Sequence, residues 1–435
     1  MVTLCTDVRL TCVKVLAVHA EEAVKESDEI VKRQGTQIRF RNKDMDFMFN
    51  WFLGMGSIVG LSHGELFQLV DGMKDGDAVQ WRERFGRHGD FLVARAGAVK
   101  GPSAAQDRLA AAFCYRAVLQ YSDPTAESFL PMVERMEVEF LEGAKGLGVP
   151  LHPVEVPFEG KSLPGYFLEH DSVPRPLVVM IGGGDSYRED LFYFGGYPSW
   201  HRGFNMLMVD LPGQGKVPAR GLTFRADMAA PISAALDFVA ARAKSPPEKV
   251  AIYGVSGGGY FTGQSAAEDR RIGAWIASTP ITDMAEVFRK EMGATFKAPG
   301  WLLRAGLAAA GAVNKSAELN LKKYAWQFGT SDYKSAIDQL FVHARPVNTA
   351  SISCPCLFLV GACEAAELKR QASALFDELK GRGANVTLRT FLANEGGDAH
   401  CQVNNFRLAH SVAFDWLDQV VSPPPPKVDP RLLAW

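Results

Sequence analysis

The 435-residue chain carries almost no net charge: 47 lysines and arginines face 49 aspartates and glutamates, a formal balance of −2 at pH 7. No long run of one sign occurs. A nucleic-acid-binding face or a polybasic membrane patch is therefore not expected. The seven cysteines, Cys5, Cys12, Cys114, Cys354, Cys356, Cys363 and Cys401, are odd in number and scattered. In a chain this large they do not suit a disulfide framework. Cys363 and Cys401 read as small buried hydrophobes, and Cys354-Pro355-Cys356 opens an apolar strand rather than a metal clip. Near the N-terminus, Arg9 and Lys14 interrupt the apolar stretch from Val8 to Ala20. That stretch is too short to span a membrane and lacks the layout of a signal peptide. The expectation is a cytoplasmic protein whose residues 1–45 form a helical or poorly ordered extension.

What is present is an ordinary globular composition, 47% hydrophobic and 22% charged. The length suits two or three domains, or one with insertions. From Met48 to Gly148 the pattern is helical. Segments near Gly64–Val70, Asp77–Ala98, Ser103–Tyr121 and Ala126–Gly143 carry apolar residues at helical spacing. Asp123-Pro124-Thr125 breaks the chain and is placed to cap the last of these. Trp51 and Trp81 are read as core by default.

From Pro150 the texture changes. Val154–Phe158 and Leu163–Leu168 bracket a turn at Glu159-Gly160-Lys161 and read as a hairpin. Apolar runs then alternate with helical segments: Leu177–Ile181, Phe204–Val209, Val250–Tyr253, Ala274–Ala277, Cys356–Val360 and Val386–Phe391. Such a rhythm indicates a parallel sheet covered on both faces. It pauses between Pro280 and Ser353, where mostly helical material reads as an insertion over the C-terminal edge of the sheet. The expected organisation is a helical region at 1–148 that helps form the substrate pocket. It is followed by a catalytic unit at 149–421, with a helical cap insertion at 280–353, and a proline-rich tail at 422–435.

One stretch carries a chemical signature. Gly254-Val255-Ser256-Gly257-Gly258 follows an apolar strand and precedes a segment that can form a helix. Strand, sharp turn and helix together make a nucleophile elbow, which lifts a serine hydroxyl to a helix N-terminus. A serine needs a base, and the base an orienting acid. Phe358–Gly361 is a strand ending in glycine, with Glu364 three residues on. His400 lies in the Gly-containing loop after Val386–Phe391 and is the only one of nine histidines so placed. Ser256, Glu364 and His400 are thus the candidate nucleophile, acid and base, with Glu367, one helical turn on, as the rival acid. An oxyanion hole would use the N–H of Gly257 and a second N–H from the loop after an earlier strand. Gly182-Gly183-Gly184-Asp185 occupies that place, so Gly183 or Gly184 is the second donor. A phosphate-binding turn is the weaker reading, since no Walker lysine and no G-x-G-x-x-G pattern accompany it.

Together these residues resemble an α/β-hydrolase. More narrowly, four segments carry a likeness to one branch of it: Gly182–Asp190, Gly254–Gly259, Gly361–Glu367 and Asp398-Ala399-His400-Cys401-Gln402. That branch contains the bacterial fermentation–respiration switch proteins, dihydroxypseudooxynicotine hydrolase and the fungal polyketide-shortening hydrolases. The likeness covers Phe49 to Leu417. It implies hydrolysis of a carbon–carbon bond beside a ketone, in a polyketide-like or aryl-ketone small molecule, with neither metal nor organic cofactor. Asp185, Asp283 and Glu286 are candidates for contact with substrate or for a second acid. The same machinery would serve an esterase, lactonase, acyl-peptidase or cyclase, and a catalytically silent regulatory protein could keep the fold. A homodimer is an open possibility.

Overall fold

A computed structural model describes residues 33–170, 175–242, 250–292 and 315–421, with the side chains of 291 and 292 left aside. The expectations for residues 1–32, for the middle of the 280–353 insertion and for the tail lie outside the described residues.

Five helices precede the sheet: α1 (Lys43–Gly56), α2 (His63–Val70), α3 (Ala78–Ala98), α4 (Pro102–Gln120) and α5 (Phe129–Gly146). Local chemistry sets their starts. Ser62 and Glu65 form a reciprocal capping box on α2. Asp77 accepts from the N–H groups of Val79 and Gln80 at the head of α3. Helix α5 begins at Phe129 and not at Ala126, because Asp123 turns its carboxylate onto the N–H and hydroxyl of Thr125 and closes a separate turn. The helices meet in an aromatic core. Trp81 and Phe85 lie 4.7 Å apart and Phe52 and Phe113 5.0 Å apart, centroid to centroid. The indole N–H of Trp81 donates to Ala117 O at 2.9 Å, so this tryptophan is core.

The eight-stranded sheet comprises β1 (Leu151–Phe158), β2 (Lys161–Leu168), β3 (Leu177–Ile181), β4 (Asn205–Val209), β5 (Val250–Val255), β6 (Ile272–Ser278), β7 (Cys356–Gly361) and β8 (Val386–Phe391). Its spatial order is β1-β2-β4-β3-β5-β6-β7-β8. Strands β1 and β2 form an antiparallel hairpin. Its two turn residues, Glu159 at φ 47° and Gly160 at φ 72°, match the twist of the strands they join. From β4 to β8 the sheet is parallel.

Alternation along each buried strand feeds two cores. Val178, Met180, Ala251 and Tyr253 join the helical region and α14 (Phe406–Val421). Val179, Ile181, Val250 and Ile252 join α8 (Ala229–Arg242), α9 (Gly257–Glu268) and α13 (Ala366–Gly381). The remaining helices are α6 (Arg188–Leu191), α7 (Tyr197–Arg202), α10 (Met284–Met292), α11 (Lys315–Gln327) and α12 (Tyr333–His343). Helices α10 to α12 fall in the expected insertion. Residues 33–45 are not a free extension. The Asp46 carboxylate gathers the N–H groups of Ile38, Arg39 and Phe40 at 2.6–2.9 Å, folding this segment back onto α1.

Candidate active site

Ser256 sits between β5 and α9 with φ 53° and ψ −126°, a conformation that costs free energy for a non-glycine residue. Its neighbours must be small. A Cβ on Gly254 would stand 2.2 Å from Gly258 O and 2.4 Å from Thr262 Oγ1. The Ser256 N–H is fastened to Ser278 O at 2.6 Å.

His400 approaches from the loop after β8, with Nε2 2.9 Å from Ser256 Oγ. Glu364, just beyond β7, brings Oε2 to 3.2 Å from His400 Nδ1. That is an ion-pair distance, with the imidazole N–H off the line of a straight hydrogen bond. The Glu364 carboxylate is fully buried. Its Oε1 accepts the Gly361 N–H at 3.0 Å, and the Thr279 hydroxyl donates to Oε2. Burial alone would lower the His400 pKa. The neighbouring Cys401 sulfur and the Glu364 carboxylate outweigh it, and the imidazolium is held well above the usual histidine value. Glu367 faces elsewhere: it pairs with Arg370 at 2.6 Å and accepts from Gln371 at 2.9 Å.

The glycine loop after β3 lies directly against the serine. A Cβ on Gly183 would stand 2.6 Å from Ser256 Cβ. The Gly183 N–H is already committed to Ser186 Oγ at 3.0 Å. The Gly184 N–H meets no acceptor among the described residues, and its nitrogen lies 3.5 Å from where a Cβ on Gly257 would sit. Of the two candidate second donors, Gly184 is therefore the one available beside Gly257, which opens α9 and leaves its N–H unpaired.

These groups open on a cavity of about 880 Å³. Arg33, Asp44, Phe47 and Trp51 line it from the N-terminal side, and Asn320, Tyr324, Phe328 and Leu340 from the insertion.

Comparison with known proteins follows the same outline. The sequence model of the family described as Esterase FrsA-like matches residues 56–260. Hydrolase LUC6 of Fusarium sp is 28% identical over 412 residues, covering 87% of this chain and 97% of the relative. The 20-hydroxy-prefusarin hydrolase FUS2 of Gibberella moniliformis is 27% identical over 415 residues, again covering 87% and 97%. The crystal structure of 2,6-dihydroxy-pseudo-oxynicotine hydrolase superposes with a TM-score of 0.63 at 20% identity, covering 86% of this chain and 98% of that one. The chain has the α/β-hydrolase fold and is similar to its FrsA-like branch.

Several residues of this α/β-hydrolase site escaped the reading of its sequence. Gln214 Nε2 donates to Gly182 O at 2.6 Å and Gly183 O at 2.9 Å. Gln327 Nε2 donates to Gly184 O at 2.6 Å. Two glutamines thus hold the carbonyls of the glycine loop. Arg33 O accepts the His400 main-chain N–H at 2.7 Å, so the N-terminal segment touches the site directly.

Asp283 and Glu286, candidates for a second acid, are corrected. Asp283 Oδ1 accepts the Glu286 N–H at 2.9 Å as a helix cap, and Glu286 pairs with Arg289 at 2.8 Å. Neither lines the cavity. The reason is amphipathicity: Ile281, Met284, Val287 and Phe288 present the apolar face to the cavity, which turns the acids outward. Asp185 does line it. Burial would raise the Asp185 pKa, but Lys323 at 2.5 Å, with Arg33 and Arg116, holds it below the usual value. Among the described residues all five cysteines are unbridged, and no helix is long and apolar enough to cross a membrane.

Proposed function

We propose that this hydrolase uses Ser256 as nucleophile, His400 as base and Glu364 as orienting acid. The reaction is cleavage of a carbon–carbon bond beside a ketone in a polyketide-like or aryl-ketone substrate. The observation that carries the reading is the 2.9 Å contact between Ser256 Oγ and His400 Nε2 on the wall of a large cavity. Ser256 Oγ attacks the carbonyl carbon while His400 takes its proton. The tetrahedral oxyanion is received by the N–H groups of Gly257 and Gly184. Collapse breaks the carbon–carbon bond and leaves the electron pair on the departing carbon, to which the imidazolium returns the proton. A second carbonyl or a phenolic ring must stabilise that carbon. Water deprotonated by His400 then attacks the acyl-serine and releases a carboxylic acid.

The volume and the aromatic walls, Phe47, Trp51, Phe194, Phe261 and Phe288 among them, suit a multi-ring or long-chain ligand. The relative that is a 20-hydroxy-prefusarin hydrolase supports the substrate class. Ester hydrolysis is the second reading, favoured by the description of the matching family; there the departing atom is oxygen.

The test is mass spectrometry of products from a panel of β-diketones, aryl ketones and esters. Wild-type enzyme is expected to give an acid plus a shortened ketone or arene, and Ser256→Ala to lose turnover by about 10^4 to 10^6. Products from esters alone would favour the second reading. A folded Ser256→Ala protein with near-wild-type turnover would remove the mechanism.

A further inference from the structure

Strand order brings one short step of chain against all three residues of the proposed triad. Strand β6 lies between β5, which ends at the serine turn, and β7, which ends three residues before Glu364. At the end of β6, Ser278 is level with Val255 on one side and Leu359 on the other. Ser278 O accepts the Ser256 N–H at 2.6 Å and the Cys401 thiol at 3.1 Å. Ser278 Oγ donates to Gln402 Oε1 at 2.9 Å. Cys401 and Gln402, the two residues after His400, have φ of 55° and 53°. Such backbone costs free energy in residues other than glycine and persists only where contacts hold it. Ser278 supplies a contact to each.

Thr279, the next residue, is fully buried, and its hydroxyl donates to Glu364 Oε2. This is the oxygen that lies 3.2 Å from His400 Nδ1. The other oxygen, Oε1, has the Gly361 N–H at 3.0 Å. A carboxylate shut away from water depends on such donors. With Thr279 removed, the Gly361 bond alone would set the rotation of the Glu364 carboxylate among the described residues. Thr279 itself has little freedom. A Cβ on Gly259 would stand 2.0 Å from Thr279 O, so α9 rests on this main chain. Branching at Cβ restricts the rotamer of the side chain.

We propose that Thr279 is a positioning residue, whose hydroxyl turns Glu364 Oε2 toward His400 so that the acid can orient the imidazole. The proposal rests on the reading of Ser256, His400 and Glu364 as nucleophile, base and acid, and it assigns what aims the acid. Cys401 and Glu364 are the titratable neighbours that act on His400. Thr279 acts on it through Glu364.

The rate at which a fluorophosphonate labels Ser256 in the full chain, followed against pH, tests this without a known substrate. On the plateau above the acid limb, Thr279→Val should label about tenfold to a hundredfold more slowly than wild type, the worth of one hydrogen bond to a charged group. The limb itself should move down, in the direction of Glu364→Gln, because the imidazolium loses part of its partner. Thr279→Ser keeps the hydroxyl and should recover most of the rate. In a Glu364→Gln background Thr279→Val should cost little, since the carboxylate it aimed is gone; a threonine that only packs would cost the same in both backgrounds. Thr279→Ala gives the same reading if the valine variant does not fold. A rate within about twofold of wild type, no recovery with serine, a limb that stays or moves up, or equal losses in both backgrounds overturns the assignment. A Glu364→Gln protein that labels as fast as wild type instead removes the acid from the triad reading, and the proposal with it.

Discussion

Replacing Gln214 by methionine should lower kcat through a group that never meets the substrate. Gln214 Nε2 holds Gly183 O at 2.9 Å. In a trans peptide the carbonyl of one residue and the N–H of the next point in opposite directions. Holding Gly183 O therefore aims the Gly184 N–H away from Gln214, and it has no other acceptor among the described residues. Gln214 is itself held, since its Oε1 accepts the Leu211 N–H at 2.8 Å. Methionine keeps the volume and loses both donors, so the Gly183–Gly184 peptide is free to turn. Full loss of one oxyanion donor costs about 10^2 to 10^3 in kcat, or roughly 3 to 4 kcal/mol of transition-state stabilisation. Gln327, still holding Gly184 O at 2.6 Å, keeps part of the loop in place. A fall of about 10 to 10^2 is expected, with KM changed less, because the oxyanion exists only after attack. Steady-state kinetics on an activated ester, with a fluorophosphonate label to count reactive Ser256, reads the effect. The reasoning would fail if kcat stayed within twofold of wild type in a folded variant, or if the whole loss appeared in KM.

Glu364→Gln should cost far more activity than Glu367→Gln, by about 10^3 or more in kcat/KM, because only Glu364 reaches His400; the reverse order would reassign the acid. His400 must be neutral to act as base, and its folded pKa is raised. The acid limb of kcat/KM should therefore lie above about pH 6.5, the ordinary histidine value, and Glu364→Gln should move it down. By the same linkage the imidazolium stabilises the fold fully below about pH 6.5, a contribution lost as pH rises through the higher folded value. A wild-type limb below the ordinary value contradicts this electrostatic account. In Gly54→Ala the new Cβ would stand 1.7 Å from Val403 O, three residues past His400, so α1 must lift from that loop. A loss of about 1 to 3 kcal/mol in stability and a clear drop in turnover are expected from denaturant melts and kinetics; unchanged values in both would show that α1 does not brace the loop.

What the sequence made legible was local or periodic. The elbow is a run of neighbours whose strand, turn and helix are each set within a few residues of Ser256. Glu364 could be preferred to Glu367 because the first leaves a strand end and the second lies a turn into α13. The choice between Gly183 and Gly184 was not readable, since it depends on where the Ser186 hydroxyl turns. Gln214 and Gln327 were hidden because each acts across a distance in the chain on main-chain oxygens, a contact that leaves no spacing pattern. Asp283 and Glu286 drew attention by charge, when the apolar spacing of Ile281, Met284, Val287 and Phe288 was the stronger signal. Residues 33–45 offered no period at all, because an aspartate collecting three N–H groups from a loop replaces regular structure.

The placement of these contacts ties the N-terminal helices to the proposed chemistry. An elbow on a sheet edge can raise a serine, but it cannot by itself exclude water or hold a partner loop still. Here the Arg33 carbonyl fixes the main chain of His400, and Gly54 lets α1 touch the backbone of Val403. Arg116, on α4, reaches the opposite loop. It lies buried against Asp190 at 2.9 Å and donates to Asp185 O, beside the Gly184 donor. The helical region thus braces both the loop that carries His400, the proposed base, and the loop proposed to receive the oxyanion, while Phe47 and Trp51 wall the cavity between them.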